Sequence, residues 1–264
     1  MPHADLGDAH LFYTDDGAGD PALLLVHGWS CDSHDWSWQY EAFAARHRIV
    51  AADLRGHGRS SVPPDGYRPR VFAADLAGLL ERLGVAQVVA VGHSLGGAIA
   101  TALAVEHPNL VKAVVAVDPA YAIPARMRDA MMETATAYRA PGGHELASTA
   151  QRAMSVPATP SNLVAWHGRR VLGTPHEVVA ETFSGIFEPD DQIGLDPASS
   201  EYLLRRTCPV LSVYAHPGRA ERERPLMRHP YSRAVSWEGA GHWLHQERPA
   251  EFNHLVLEWV AGLP

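Results

Sequence analysis

An α/β fold on a mostly parallel, doubly wound sheet is predicted by three observations. Short apolar runs alternate with amphipathic stretches over residues 1–118, these runs are apolar at nearly every position, and the alternation returns after Pro209. Strand and helix in alternation indicate a parallel sheet with helices on both faces, and strands covered on both faces read as continuous apolar runs. His10 to Thr14 reads as an antiparallel edge hairpin. Strands follow at Leu23-Leu24-Leu25-Val26, Ile49-Val50-Ala51-Ala52, Val88 to Val91 and Val114-Val115-Ala116-Val117. From Pro119 to about Thr207 strand signals vanish, and Pro124 to Ala140, Leu146 to Met154, Asn162 to Val171 and Glu177 to Phe187 read as helices separated by Pro and Gly breaks. Strands resume at Val210 to Tyr214 and Arg233 to Trp237, and Phe252 to Val260 closes as a helix. The expected organisation is a core of residues 1–118 and 208–264, with a helical lid, 119–207, inserted after the sixth strand. Such a lid would lie over the strand ends, where open α/β sheets bind ligands.

Composition narrows the function classes. With 264 residues, 46% hydrophobic and 20% charged, the chain has material for one core plus an insertion. A net charge of -8 without a basic block argues against a nucleic-acid partner. No apolar stretch approaches the roughly 20 residues that span a bilayer, so no membrane role is expected. Met1-Pro2-His3-Ala4-Asp5 lacks the basic and apolar regions of a signal peptide, and Cys31 and Cys208 are the only cysteines; a cytoplasmic protein with free thiols is expected.

The chemistry concentrates at Gly92-His93-Ser94-Leu95-Gly96, which follows the run ending at Val91 and precedes a helical stretch reaching His107. Strand before and helix after is the context in which a G-x-S-x-G pattern presents a nucleophile on a sharp turn. A serine hydroxyl is a weak nucleophile at neutral pH, so Ser94 needs a base within reach and donors for the oxyanion that its attack creates. Among 16 histidines, His242 suits the base. It sits in Gly239-Ala240-Gly241-His242-Trp243, a glycine-rich loop between the last strand and the last helix, late in the chain as the order of such a triad requires. His245 and His254 read as surface residues. One oxyanion donor is the N–H of Leu95 at a helix start; the second is the N–H of Trp29 in His27-Gly28-Trp29-Ser30, where Gly28 permits close approach and His27 holds the loop.

Leu24 to Trp29, Asp53-Leu54-Arg55-Gly56-His57-Gly58-Arg59-Ser60, the Ser94 turn and the His242 loop together resemble the α/β-hydrolase superfamily. The resemblance spans nearly the whole chain outside the lid and makes Asp53 to Ser60 a structural turn. A nucleotide reading of that turn fails, because the third glycine position is Ser61. In most of the family an Asp follows the strand after the lid, but here Ala215-His216-Pro217-Gly218-Arg219-Ala220 offers no carboxylate before Glu221. The triad acid is therefore Asp118, at the end of the strand after the nucleophile, or else Glu221 or Glu223. An acid at Asp118 is similar to the arrangement of zearalenone-type lactone hydrolases and of cofactor-free hydroxyquinolone dioxygenases.

Cys31, Trp36, Tyr121, Ile123, Met127, Met131, Trp166 and Trp243 are candidates to line an apolar, aromatic pocket. No metal or other cofactor is expected: His242 and His245 are spaced H-x-x-H, but no glutamate lies between them. The leading expectation is a serine hydrolase acting on a carboxylic ester or lactone, with a bulky apolar or cyclic small molecule as substrate. Two alternatives remain, a cofactor-free dioxygenase using His242 and Asp118 and a small-ligand receptor on the same scaffold.

Overall fold

The computed structural model describes residues 2–264. In chain order the elements are β1 His3–Asp5, β2 His10–Asp16, β3 Ala22–Val26, α1 Ser37–Ala44, β4 Ile49–Ala52, α2 Pro69–Arg82, β5 Val88–His93, α3 Leu95–Glu106 and β6 Val111–Val117. Then come α4 Arg128–Arg139, α5 Gly143–Ala153, α6 Ser161–Gly173, α7 His176–Phe187, α8 Ala198–Leu203, β7 Val210–Tyr214, α9 Pro217–Glu223, β8 Arg233–Ser236, α10 Leu244–Glu247 and α11 Pro249–Ala261. The eight strands form one sheet in the order β1-β2-β4-β3-β5-β6-β7-β8. Only β1 with β2 and β2 with β4 pair antiparallel; the other neighbours run parallel.

Side chains along a strand alternate between the two faces of the sheet, and the core divides accordingly. Leu24 and Val26 of β3 pack with Leu76, Leu80, Ile99 and Leu103 of α2 and α3. Leu23 and Leu25 pack on the other side with Phe43 of α1 and Phe252, Val256 and Trp259 of α11. Both sets are almost wholly excluded from water, and full burial of one such side chain contributes about 1.5–3 kcal/mol. The continuous apolar runs have a direct cause: every position of β3, β4 and β5 is buried.

The strand-poor sequence between β6 and β7 carries five helices, α4 to α8, joined by turns and loops. The helix expected from Pro124 begins at Arg128, because Ala125–Met127 forms a 3-10 turn ahead of it. Three short helices, α8, α9 and α10, lie outside those anticipated. In α9, Pro217 takes a first-turn position and His216 accepts the N–H of Gly218 through its ring; α8 begins directly after Pro197. Among the described residues no helix is long and apolar enough to cross a membrane.

Candidate active site

β5 ends at His93 and α3 begins at Leu95, so Ser94 alone makes the turn, at φ 53° and ψ -113°. A non-glycine residue in this region is strained and persists only where its surroundings hold it. Four hydrogen bonds do so: the Ser94 N–H donates to the Val117 carbonyl at 2.8 Å, and its own carbonyl accepts from Gly97, Ala98 and Ala120 at 3.0, 3.3 and 2.9 Å. Close packing adds to the constraint, since a Cβ on Gly92 would lie 2.0 Å from the Gly96 carbonyl oxygen and one on Gly96 2.1 Å from that of Val26. The start of α3 is thereby pressed against the end of β3. As the first residue of its helix, Leu95 has an N–H with no intrahelical acceptor.

The loop after β3 is fixed by its own side chains. Leu54 N–H donates to His27 Nε2 at 3.0 Å, so the proton of His27 sits on Nδ1 and is donated to the Gly28 carbonyl at 2.8 Å. Trp29 turns its indole away from the sheet: its N–H donates to the Val179 carbonyl of α7 at 2.8 Å, and its ring stacks on Tyr138 at 5.5 Å. What the loop offers to the Ser94 turn is therefore main chain.

In the β5–β6 pairing His93 lies opposite Val117, so Ser94 and Asp118 each follow a paired residue on adjacent strands. Asp118 Oδ2 accepts from His242 Nδ1 at 2.6 Å, and Oδ1 accepts from Arg219 Nη1 at 3.2 Å. Burial disfavours the charge of Asp118, but the hydrogen bond from His242 and the Arg219 guanidinium outweigh it and hold its carboxyl below the usual range. With Nδ1 donating to Asp118, the lone pair of His242 resides on Nε2. His93 secures the same loop, its Nε2 donating to the His242 carbonyl at 3.0 Å with the two rings 4.6 Å apart. Among the described residues no hydrogen bond reaches the Ser94 hydroxyl; the serine is linked to the imidazole through His93, its neighbour in sequence.

The other candidates fall elsewhere. Glu223 is fully buried and bonded to Arg206, Tyr214 and Tyr121 at 2.7, 2.6 and 2.9 Å, and Glu221 is exposed, so neither is the partner of His242 Nδ1. His254 is exposed as expected, but His245 is buried, its ring 4.7 Å from Trp36 and 4.7 Å from His93. That corrects its reading as a surface residue: α10 turns it inward. Tyr121, Trp36 and Trp243 are core rather than open lining. Tyr121 joins the Glu223 network, Trp36 packs beneath the sheet with Phe252, and Trp243 stacks on His167 at 4.0 Å. Cys31 is buried, Met131 and Ile123 are half-buried, and Met127 and Trp166 stand at the surface. Arg219 was not anticipated, although it lies where the usual acid is missing; its guanidinium also donates to the carbonyls of Pro119 and Tyr121.

Comparison with known proteins adds an independent line. Residues 21–163 match the family model of the alpha/beta hydrolase fold. An epoxide hydrolase of Caballeronia sordidicola is 43% identical over 107 residues, covering 39% of this chain and 32% of that protein. The sn-1-specific diacylglycerol lipase of Mus musculus is 28% identical over 276 residues, covering 98% of this chain and 88% of the lipase. The chain spans about a third to about half the length of the epoxide hydrolases it matches. A thermophilic esterase from Thermogutta terrifontis superposes with a TM-score of 0.84 at 25% identity, covering 100% of this chain and 99% of the esterase.

Proposed function

The chain belongs to the α/β-hydrolase family, and on that premise we propose that it is a serine hydrolase cleaving a carboxylic ester or lactone. The observation that carries this reading is the 2.6 Å bond from His242 Nδ1 to Asp118 beside the strained turn at Ser94. Ser94 Oγ attacks the carbonyl carbon while His242 Nε2 takes its proton. Asp118 fixes the ring tautomer and stabilises the imidazolium, and the N–H groups of Leu95 and Trp29 receive the oxyanion. Collapse breaks the C–O bond, the leaving alcohol takes the proton from His242, and water activated by the same imidazole releases the acyl group.

Relatives that open epoxides raise a competing substrate, which the nucleophile argues against. A serine oxygen adding to an epoxide forms an ether that water does not readily cleave, whereas adding to a carbonyl forms an ester that it does. Residues 119–207 act in this reading as a lid. In this reading the substrate is a bulky apolar or cyclic molecule, in keeping with the aromatic contacts that Trp29 makes with Tyr138 and Phe183 of the helical segment.

A fluorophosphonate probe together with a panel of aryl esters and lactones tests the proposal. Wild-type protein is expected to label and turn over, and Ser94→Ala to lose both. One observation favours a second reading: the His242–Asp118 pair is closed while the Ser94 hydroxyl has no hydrogen bond. In a cofactor-free dioxygenase that pair would deprotonate a heteroaromatic hydroxyl, and molecular oxygen would attack the resulting anion. Oxygen uptake with a hydroxyquinolone that survives Ser94→Ala would replace the hydrolase by this enzyme.

A further inference from the structure

We propose that Cys31, Asp35 and His167 form a binding site for a divalent cation of the zinc type, fastening the loop after β3 to α6. One ligand atom from each residue lies within 4.8 Å of the other two, and all three residues are buried. Tetrahedral zinc with bonds of about 2.0–2.3 Å holds neighbouring donors roughly 3.3–3.8 Å apart, so closure around the ion requires a contraction of about 1 Å. Sulfur, nitrogen and oxygen together suit zinc.

The hydrogen bonds around His167 leave its Nδ1 lone pair uncommitted. Gln246 Nε2 donates to the Asp35 carbonyl at 3.0 Å, which fixes the orientation of its amide and turns Oε1 toward His167 Nε2 at 2.8 Å. His167 is therefore protonated on Nε2, and Nδ1 carries the bare lone pair. That Nδ1 and Asp35 Oδ2 are both buried without a hydrogen-bond partner, on residues 0% exposed. A side chain that donates its far N–H to an amide oxygen while presenting the other nitrogen bare is the arrangement of a metal-bound imidazole with its outer support. Burial lowers the pKa of His167 to about 4, so the ring is neutral and available as a ligand at neutral pH.

Charge closes around such an ion. Arg170 pairs with Asp32 and with Asp35 Oδ1, leaving Asp35 Oδ2 free. Asp32, Asp35 and Arg170 together carry one net negative charge, and ionised Cys31 adds a second to offset the dication. Burial pushes the Cys31 thiol up to about 12. The metal–sulfur bond therefore forms as the S–H bond breaks and its proton passes to solvent, whereas Asp35 and His167 contribute lone pairs only. Of the three residues, Cys31 borders a surface recess of about 760 Å³ that also meets Ser30, Trp166 and Thr174.

Full-length protein stripped with a chelator and titrated with Co²⁺, then Zn²⁺, tests the site. Expected are one equivalent bound, a thiolate-to-cobalt charge-transfer band with tetrahedral visible bands, displacement by Zn²⁺, and affinity rising about tenfold per pH unit from the single proton released. Cys31 and Cys208 are the only thiols, so the band should persist in Cys208→Ser and vanish in Cys31→Ser. Absence of uptake, a cobalt spectrum without the thiolate band, or loss of that band in Cys208→Ser would each overturn the proposal, even if Cys31→Ser failed to fold.

Discussion

Asp118 and Glu223 are two buried carboxylates joined to the same stretch of chain: Arg219 ties Asp118 to the main chain at Tyr121, and the Tyr121 hydroxyl bonds Glu223. In both, burial opposes ionisation and hydrogen-bonded partners overcome it, so both carboxyls lie below their ordinary range. The difference is in what the partners have left to give. Glu223 ends on Arg206 and two tyrosines, groups spent inside the core. Asp118 ends on an imidazole whose other nitrogen is uncommitted. Strength of pairing therefore does not separate the two carboxylates; the unused valence of the partner does.

The largest expected effect breaks this comparison if it fails. Asp118→Asn keeps the shape but favours the wrong imidazole tautomer, and kcat should fall by about 10⁴-fold. Glu223→Gln should leave kcat within a few-fold. It instead leaves Arg206 buried beside a neutral amide, and unfolding free energy by denaturant titration should drop by roughly 3–5 kcal/mol. A Glu223→Gln enzyme as inactive as Asp118→Asn would erase the distinction.

The same contrast explains what was legible in the sequence. Strands of the central sheet were readable because both faces are covered, which writes burial directly into apolar runs. The Ser94 turn was readable because the close approach of main chain at positions 92 and 96, with carbonyls about 2 Å from where a Cβ would stand, writes glycine into the sequence at both. The sequence puts Asp118 first as the partner of His242, and the structure pairs the two; the alternatives stay open in sequence because Asp118 and Glu223 differ only in neighbours supplied by distant segments. Arg219 is a plain surface-type residue in sequence and becomes specific only where α9 brings it to β6. Likewise His242 and His245 lie three residues apart, and it is the short helix α10 that sends the second ring into the core. The surroundings of Tyr121, Trp36 and Trp243 were not legible for a related reason, since an aromatic residue declares that it will be buried but not against what.

Arg219 sharpens the comparison at intermediate size. Its guanidinium holds one oxygen of Asp118 and two main-chain carbonyls beside it, so it acts as a positioning residue through the carboxylate. Arg219→Ala lets Asp118 turn, and a misplacement of about 1 Å at a reacting group costs on the order of 10²-fold in kcat. KM should change little, because Arg219 touches no substrate in this reading. Lysine lacks the planar fork whose two nitrogens reach Asp118 and the two carbonyls separately, so Arg219→Lys should recover only part of the loss; a KM effect equal to the kcat effect would mark Arg219 as a binding residue instead.

The smallest effect separates histidines in the same way as carboxylates. Burial lowers the pKa of His57 to about 3 and of His167 to about 4, and holds His93 and His245 well below 6.5. Each is neutral when folded, while the unfolded chain binds a proton below about pH 6.5. The unfolded state therefore gains protons that the folded state refuses. The stability these rings contribute is complete above pH 6.5 and is lost as pH falls toward the folded values. The slope is about 1.4 kcal/mol per pH unit for each ring, or about 2 kcal/mol by pH 5. Melting temperature should thus decline well before the depressed carboxylates protonate, and His57→Gln should flatten the decline by one ring's share. A melting temperature constant from about pH 6.5 to 5 would mean that the imidazoles take up protons within the fold, contrary to the dry packing that sets them apart from His242.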